Sequence, residues 1–226
     1  MIPDVQIYDI TVTLGGGAID YPGDPPYRRE QVSAIRSGGS YDLSRLEMSA
    51  HAGTHVDVPA HFIPGGRTID QYAAGDFIFP AHVIAIESRE SIRASELAAV
   101  AIRPGDAVLF KTDNSRSGRC RSGTFSPLYV SLTEEAAELL VRKKAGLAGF
   151  DYISPERCDD AGFPVHQELL RNGILLLEGI DLGQVPEGSY MLWCLPLKIA
   201  GAEASPVRAV LIPRRSLREQ HQDEAV

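Results

Sequence analysis

The sequence predicts a single α/β domain built on a mixed β-sheet with short helices. Three observations support this prediction. The chain has 226 residues, of which 44% are hydrophobic and 23% charged, so it can bury a core without disulfides or a structural metal. Strand-like and helix-like segments alternate through the middle of the chain. Both ends carry strand-like segments, and this combination is typical of a mixed sheet rather than of an all-β sandwich.

The apolar patterning predicts the individual elements in chain order. Short runs of alternating or continuous apolar residues predict strands at 7–14, 43–49, 82–87, 107–112, 147–152, 174–177, 190–199 and 206–213. A short helix is predicted over 93–100. A second helix should open at the capping box formed by Ser131 and Glu134 and end at Gly146. A third should cover 166–172. We expect a domain over residues 1–213 and a solvated tail over 214–226.

Charge and cysteine content narrow the class of protein. The chain has 22 lysines and arginines against 30 aspartates and glutamates, a net charge of −8. This acidic excess argues against binding to nucleic acid or to an anionic membrane surface. No apolar run is long enough to span a membrane, and the N-terminus lacks the features of a signal peptide. The cysteines form no CxxC motif, so they predict neither a disulfide framework nor a zinc knuckle, and we expect a cytoplasmic protein.

The most informative segment of the chain is rich in histidine. It reads His51-Ala-Gly-Thr-His55-Val-Asp57-Val-Pro-Ala-His61-Phe, a spacing of H-x3-H-x-D-x3-H. Imidazole and carboxylate groups are the usual ligands of zinc, manganese and ferrous iron. A glycine and a proline inside the segment disfavour a helix, so we expect an irregular loop after the strand at 43–49. Capping or surface histidines are the alternative, but this spacing favours a metal or catalytic site.

Further ligands must come from later in the chain, and two residues are candidates. Glu178 closes the apolar run Ile174-Leu-Leu-Leu, and a carboxylate at the end of a buried strand is costly unless it is paired or metal-bound. His166 begins the predicted helix at 166–172. An ion pair for Glu178 and a helix cap for His166 are the alternatives. We expect a structural role for His82 and a solvated side chain for His221. We assign no functional role to Cys158.

The histidine-rich segment resembles the H-x-G-T-H-x-D-x-P-x-H signature of the cyclase family, which includes bacterial kynurenine formamidases and isatin hydrolases. The resemblance extends across most of the chain, as far as about Pro213. The further segments that carry it are Asp9-Ile-Thr, Tyr21-Pro-Gly-Asp, Gly149-Phe-Asp151, Leu177-Glu-Gly179, Leu195-Pro-Leu-Lys198 and Ser205-Pro-Val-Arg208.

The resemblance implies a swivelling β/β/α-type fold and a metal-dependent hydrolase that is a homodimer or a larger assembly. In the formamidases two zinc ions share an aspartate, which corresponds to Asp57. The other ligands then correspond to His51, His55, His166 and Glu178, and the general acid and base corresponds to His61.

The resemblance also suggests a substrate and a metal. The resemblance favours hydrolysis of N-formylkynurenine to kynurenine and formate, a step of tryptophan catabolism. Tyr21 stands where formamidases often have tryptophan, which makes it a candidate substrate-binding residue, and the loop at 154–163 also departs from the formamidase pattern. Zinc is expected, with manganese as an alternative, because both accept these ligands.

Other functions compatible with the ligands are kept open. One is hydrolysis of a lactam or lactone, as in isatin hydrolases. A second is a non-haem iron oxygenase that uses His55, Asp57 and His166 as two histidines and one carboxylate. A third is a metal-binding or interaction protein without enzymatic activity. Oxygen uptake would identify the second, and metal loading without turnover on any activated amide, lactam or ester would identify the third.

Overall fold

A computed structural model describes residues 6–214 of the protein as one mixed α/β domain, which confirms the predicted fold class. Thirteen strands lie within the described residues: β1 (Tyr8–Asp9), β2 (Arg28–Ser33), β3 (Leu43–Glu47), β4 (His55–Asp57), β5 (Ile78–Ala85), β6 (Ser91–Ile92), β7 (Ala107–Lys111), β8 (Ser131–Leu132), β9 (Leu147–Phe150), β10 (Leu175–Glu178), β11 (Gly188–Trp193), β12 (Ala204–Pro206) and β13 (Val210–Pro213). The helices are short: α1 (Ala94–Leu97), α2 (Asp113–Arg116), α3 (Glu134–Lys143) and α4 (Pro164–Arg171).

Nine of the strands form one sheet in the order β1-β13-β11-β5-β7-β9-β10-β4-β12. The four central strands, β5, β7, β9 and β10, run parallel. Antiparallel strands extend the sheet on both sides, with β11 pairing to β5 and β4 pairing to β10. The helices α3 and α4 connect successive parallel strands, as parallel pairing requires.

The sheet separates two apolar cores, and β7 shows how the sequence builds both. Val108 and Phe110 point to the face covered by the helices, whereas Leu109 points to the opposite face. On that second face the sheet curls over a core to which β4, β10 and β11 all contribute. Because successive side chains of a strand point to opposite faces, a strand buried on both sides reads as a continuous apolar run. The run at 107–110 therefore predicts a central strand.

Several predicted boundaries are wrong, and local capping explains two of them. Thr133, not Ser131, caps α3, since the Thr133 side chain accepts a hydrogen bond from the Ala136 amide. Ser131 instead belongs to β8, which pairs with β6. The helix ends at Lys143, with Lys144 in the left-handed conformation at φ 56°, before it reaches Gly146.

Other differences concern the ends of the chain and a missed hairpin. The strand predicted at 7–14 is reduced to β1 and a single bridge between Thr11 and Ile180. The strand predicted at 190–199 ends at Trp193, and 206–213 divides between β12 and β13. β2 has no apolar alternation and was not predicted. It pairs with β3 as a separate two-stranded sheet. The domain boundary at 213 stays a prediction, and residues 215–226, which include His221, lie outside the described residues.

Within residues 6–214, no helix has both the length and the apolar composition needed to cross a membrane.

Candidate metal centre

The histidine-rich segment contains a strand, so the prediction of an irregular loop is wrong for its central part. β4 lies between β10 and β12 and pairs antiparallel with both. This pairing with distant parts of the chain supplies the backbone hydrogen bonds that local sequence cannot reveal. His55 and Asp57 are two residues apart on this strand and therefore point to the same face, while Val56 between them packs into the core.

The remaining residues of the segment flank β4. His51 lies in the turn that precedes the strand, and His61 closes a short 3₁₀ turn at Pro59–His61 directly after it. Their rings nevertheless lie together, with centroids 4.2 Å apart. Glu178 is the last residue of β10 and is the register partner of His55. His166 lies in the first turn of α4, whose first residue is Pro164 rather than His166.

All seven residues predicted to form the site line one cavity of about 450 Å³. This volume lies in the usual range for small-molecule sites. Its lining combines histidines and carboxylates with aromatic and apolar side chains. The cavity is lined by Tyr21, Asp24, Ser49, His51, His55, Asp57, His61, Phe62, Ile153, Ser154, Phe163, His166, Glu178 and Glu203.

The ligand-type atoms form two groups that share Asp57. In one group, atoms of His51, Asp57 and His61 lie within 4.8 Å of one another. In the other, atoms of His55, Asp57 and Glu178 do so. His55 Nε2 lies 3.4 Å from an Asp57 oxygen and 3.6 Å from a Glu178 oxygen, so it faces both carboxylates. A carboxylate common to two groups is the arrangement expected for a bridging ligand.

His166 joins the second group through Glu178, because its Nε2 lies 3.2 Å from Glu178 Oε1. The third member beside His55 and Asp57 is thus a carboxylate rather than His166. This arrangement does not match the two-histidine, one-carboxylate site considered for an oxygenase.

Buried polar atoms without hydrogen-bond partners show that this donor set suits a metal. Four of them belong to the two groups: His55 Nε2, both carboxylate oxygens of Asp57 and Glu178 Oε1. His51 Nδ1 lies 2.9 Å from Asp57 Oδ1 without the alignment of a hydrogen bond. Buried polar groups are nearly always paired, and a cation held between them satisfies all of these atoms at once. Mixed imidazole and carboxylate donors fit zinc or manganese.

The electrostatics of the cavity follow from the packing of carboxylates against imidazoles. Burial would raise the pKa of Asp57, but the surrounding histidines, His55 first, hold it well below its usual range. Burial would lower the pKa of His51, yet the carboxylates, Asp57 first, raise it to about 9. His61 differs, because burial, reinforced by the other histidines against the opposing effect of Asp57, lowers its pKa to about 4. His61 is therefore neutral at pH 7 and able to accept a proton.

Tyr21 lines the cavity, and its ring meets Phe125 edge to face with centroids 5.4 Å apart. Phe62 and Phe163 also line it, with ring centroids 5.2 Å apart. The two phenylalanines were not predicted. Phe62 directly follows the signature, and Phe163 lies in the 154–163 loop that departs from the formamidase pattern, so that departure was the available signal.

Three carboxylates near the site were also missed. Asp24 belongs to the Tyr21-Pro-Gly-Asp motif and lines the cavity. Glu203 lies 3.4 Å from His51 Nε2. Glu156 is buried behind His166 and hydrogen-bonds it. No local pattern marks Glu156 or Glu203 as functional. His82, expected to be structural, lies in β5 beside Asp106 and does not line the cavity.

Comparisons with known proteins agree with this geometry. The family model described as "Putative cyclase" matches residues 8–157. Kynurenine formamidase of Bacillus thuringiensis (strain Al Hakam) is 32% identical over 205 residues, which cover 91% of this chain and 96% of that protein. A structure described as a "potential metal-dependent hydrolase with cyclase activity" is 30% identical with a TM-score of 0.79, covering 93% of this chain and 98% of that one.

Isatin hydrolase A from Labrenzia aggregata, solved with benzyl benzoate, is 26% identical with a TM-score of 0.77 and covers 92% of this chain and 94% of its own. The family model spans well over half of the chain and includes the whole histidine-rich segment. The resemblance read from that segment is thereby confirmed, and the chain belongs to the cyclase family.

Proposed function

We propose that the protein is a metal-dependent hydrolase of small non-peptide amides, and specifically an arylformamidase that converts N-formylkynurenine to kynurenine and formate. The observation that carries the proposal is the sharing of Asp57 between two groups of ligand-type atoms in a cavity that aromatic side chains also line. The curated kynurenine formamidase that is 32% identical over nearly the whole chain supports the choice of substrate.

The residues present fit two zinc ions, with manganese as the alternative metal. His51, His55, His166 and Glu178 would hold the ions, and Asp57 would belong to both. When bound, such ions lower the pKa of water toward neutrality and polarise a carbonyl oxygen. The buried carboxylates favour this loading, because bound cations would neutralise negative charge that is otherwise buried without a partner.

His61 is proposed as the general acid and base. Its ring forms no hydrogen bond with any residue of the described chain, its side chain is 27% exposed, and its Nε2 lies 3.9 Å from an Asp57 oxygen. His61 would accept a proton from the attacking water as the new C–O bond forms. It would then donate that proton to the amide nitrogen as the C–N bond breaks, which leaves an aryl amine and formic acid and returns His61 to its neutral form. The formic acid loses its remaining proton to solvent as formate.

The aromatic side chains of the cavity suit an aryl substrate. Tyr21, Phe62 and Phe163 all line the cavity that holds the ligand-type groups, and the Phe62 ring lies 4.7 Å from the His166 ring, centroid to centroid. Aromatic rings prefer offset or edge-to-face contacts with one another, so the ring of an anilide could pack against these side chains close to the ligand groups. An aryl amine is also a better leaving group than an alkyl amine, and less acid catalysis is needed to expel it.

A lactam is the second candidate substrate. The solved isatin hydrolase A that is 26% identical supports it, since it matches 92% of this chain. Tyr21 and the 154–163 loop favour neither substrate by themselves. Both reactions would use the same ligands and the same histidine, and they differ only in whether the aryl amine leaves or stays attached to the product.

The test is hydrolysis of N-formyl-L-kynurenine by zinc-loaded protein, with chelated protein and the His61→Ala variant as controls. Turnover at enzyme-like efficiency that is lost with chelation and in the variant would support the proposal. Metal-loaded protein that hydrolyses isatin but not the formamide would move the assignment to the lactam. Metal-loaded protein inactive on both, and on other activated amides and lactones, would favour a non-enzymatic metal-binding protein. Cosubstrate-dependent oxygen uptake would identify an oxygenase.

We also propose that the protein is a homodimer located in the cytoplasm. The β2–β3 hairpin is a two-stranded sheet of its own, and such sheets are barely stable in water without further packing. It nevertheless exposes large apolar side chains, including Val32, Ile35, Tyr41, Leu43 and Leu46. A second copy packed on this hairpin would bury these side chains. Sedimentation equilibrium of the wild type and of Leu46→Glu tests whether the hairpin holds a dimer together.

The proposed cytoplasmic location is supported by the cysteines. All three are free, as expected in a reducing compartment.

A further inference from the structure

The three histidines proposed as ligands share one geometric feature: each has one ring nitrogen facing the inner carboxylates and the other facing a different oxygen. His55 Nε2 faces Asp57 and Glu178, and His55 Nδ1 lies 2.9 Å from the Gly53 carbonyl oxygen. His51 Nδ1 faces Asp57, and its Nε2 faces Glu203. Metal-binding histidines typically donate their second ring N–H to such an acceptor.

His166 follows the same pattern through Glu156. Its Nε2 faces Glu178 at 3.2 Å, and its Nδ1 lies 3.1 Å from Glu156 Oε1. The same Glu156 oxygen also accepts a hydrogen bond of 2.8 Å from the His166 backbone amide. Glu156 is only 1% exposed, in the loop that precedes α4. One carboxylate oxygen thus holds both the backbone and the ring of a single residue.

We propose that Glu156 is a positioning residue that keeps the proton of His166 on Nδ1, so that Nε2 presents its lone pair to the metal site. This proposal rests on the proposed function, since it requires that a metal ion is bound beside Glu178. An acceptor fixed at Nδ1 favours the tautomer with the proton on Nδ1, whereas the tautomer that carries the proton on Nε2 cannot bind a metal through Nε2.

A role limited to capping α4 would not require the contact with the ring. The amide of His166 lies in the first helical turn and has no acceptor within the helix. A side chain that accepted a hydrogen bond from this amide alone would be enough to cap the helix. The ring is also held between Glu156 and Glu178 and packs against Phe62, with centroids 4.7 Å apart. Its orientation is therefore fixed on three sides, as a preorganised ligand requires.

Carboxylates surround the site at two depths. The inner ones are Asp57 and Glu178, and the outer ones, each beside a ligand histidine, are Glu156 and Glu203. Divalent ions would offset the negative charge of these groups, which matters most for the buried Asp57, Glu178 and Glu156.

The test measures zinc affinity by chelator competition in Glu156→Ala, Glu156→Gln and the wild type. Loss of an outer-shell acceptor typically weakens binding about 10- to 100-fold. We expect a loss of that size for one of two zinc equivalents in Glu156→Ala. Glutamine keeps a carbonyl acceptor for the Nδ1–H group, so Glu156→Gln should lose less. Asp106→Asn is the matched control, because Asp106 pairs with His82 at 2.8 Å outside the cavity, and it should bind both ions as the wild type does.

A second readout does not depend on the alanine variant folding. Nitrogen-15 NMR of zinc-loaded wild-type protein labelled at histidine, assigned by difference from His166→Gln, should show His166 with Nδ1 protonated and Nε2 bound to metal. Metal bound through Nδ1, or folded Glu156→Ala with wild-type affinity for both ions, would overturn this proposal alone. Wild-type protein that binds no divalent metal would overturn the proposed function and this proposal with it.

Discussion

His55 and Glu178 face each other across the antiparallel strands β4 and β10, with His55 Nε2 3.6 Å from Glu178 Oε2. They are separated by more than a hundred residues in sequence, yet strand register makes them direct neighbours. Because side chains of register partners point the same way, one metal ion could be held by both. Backbone pairing of β4 with β10 therefore fixes the relative position of these two residues.

Asp57→Ala is expected to lose both metal ions and all turnover, because Asp57 belongs to both groups of ligand atoms. Metal content by mass spectrometry after dialysis, together with formamide hydrolysis, measures the effect. Asp24→Ala is the control for metal content, since Asp24 lines the same cavity but belongs to neither group. Full metal occupancy and activity in Asp57→Ala would show that Asp57 is not a shared ligand.

His61→Ala is expected to keep both metal ions but to lose about 10²- to 10⁴-fold in kcat, the usual contribution of a general acid and base. Metal analysis and steady-state kinetics at pH 7 separate the two effects. His82→Ala should retain activity, because His82 lies outside the cavity. If His61→Ala instead loses one metal ion, His61 is a third ligand beside His51 and Asp57, with which it lies in one group of atoms.

Gly179→Ala is expected to destabilise the protein and weaken metal binding together. Gly179 follows Glu178 directly and has a φ of +65°, and a Cβ there would lie 2.4 Å from the Gly53 carbonyl oxygen. Gly201→Ala is the matched control, because Gly201 has a similar φ of +71° but open space around it. The control isolates the left-handed strain, about 1–2 kcal/mol. Gly179→Ala should lose about 1–3 kcal/mol more in urea unfolding, and equal losses would contradict the close approach.

One thiol is expected to react in the native protein at pH 8, and three after unfolding. Cys158 is exposed, whereas Cys120 and Cys194 are buried. Burial, followed by the nearby Asp181 and Asp151, raises the pKa of Cys120 to about 12. A raised pKa means less thiolate at a given pH, so Cys120 should stay slow to alkylate until the solution is strongly alkaline. Counting iodoacetamide adducts by mass spectrometry checks this, and rapid native labelling of two or more sites would contradict it.

The sequence predicted the residues of the candidate metal centre better than their secondary structure. The spacing of His51, His55, Asp57 and His61 was enough to predict a candidate site, and the structure places all four side chains around one cavity. The strand β4 was missed, since three residues paired on both edges leave no periodic signal. Its partners, β10 and β12, lie far along the chain, and only the folded sheet reveals them.

The central sheet was predictable for a different reason. β7 and β9 are short continuous apolar runs, which a strand buried on both faces produces. The β2–β3 hairpin was harder to predict, because β2 is almost wholly exposed and so carries no apolar pattern. Glu156 could not be predicted as a positioning residue, since its importance lies in a contact with His166 that depends on how the 154–163 loop folds back on α4.

The position of β4 between β10 and β12 has a consequence for how the protein is made. During synthesis, the segment that carries His51, His55 and Asp57 leaves the ribosome long before either partner strand exists. The hydrogen bond between Thr54, just before β4, and Gly179, just after β10, joins positions 125 residues apart. Contacts of this separation form slowly. Glu178 and the two strands that pair with β4 are present only when most of the domain has been synthesised, so a nascent chain cut short before β10 should bind metal more weakly than the complete domain.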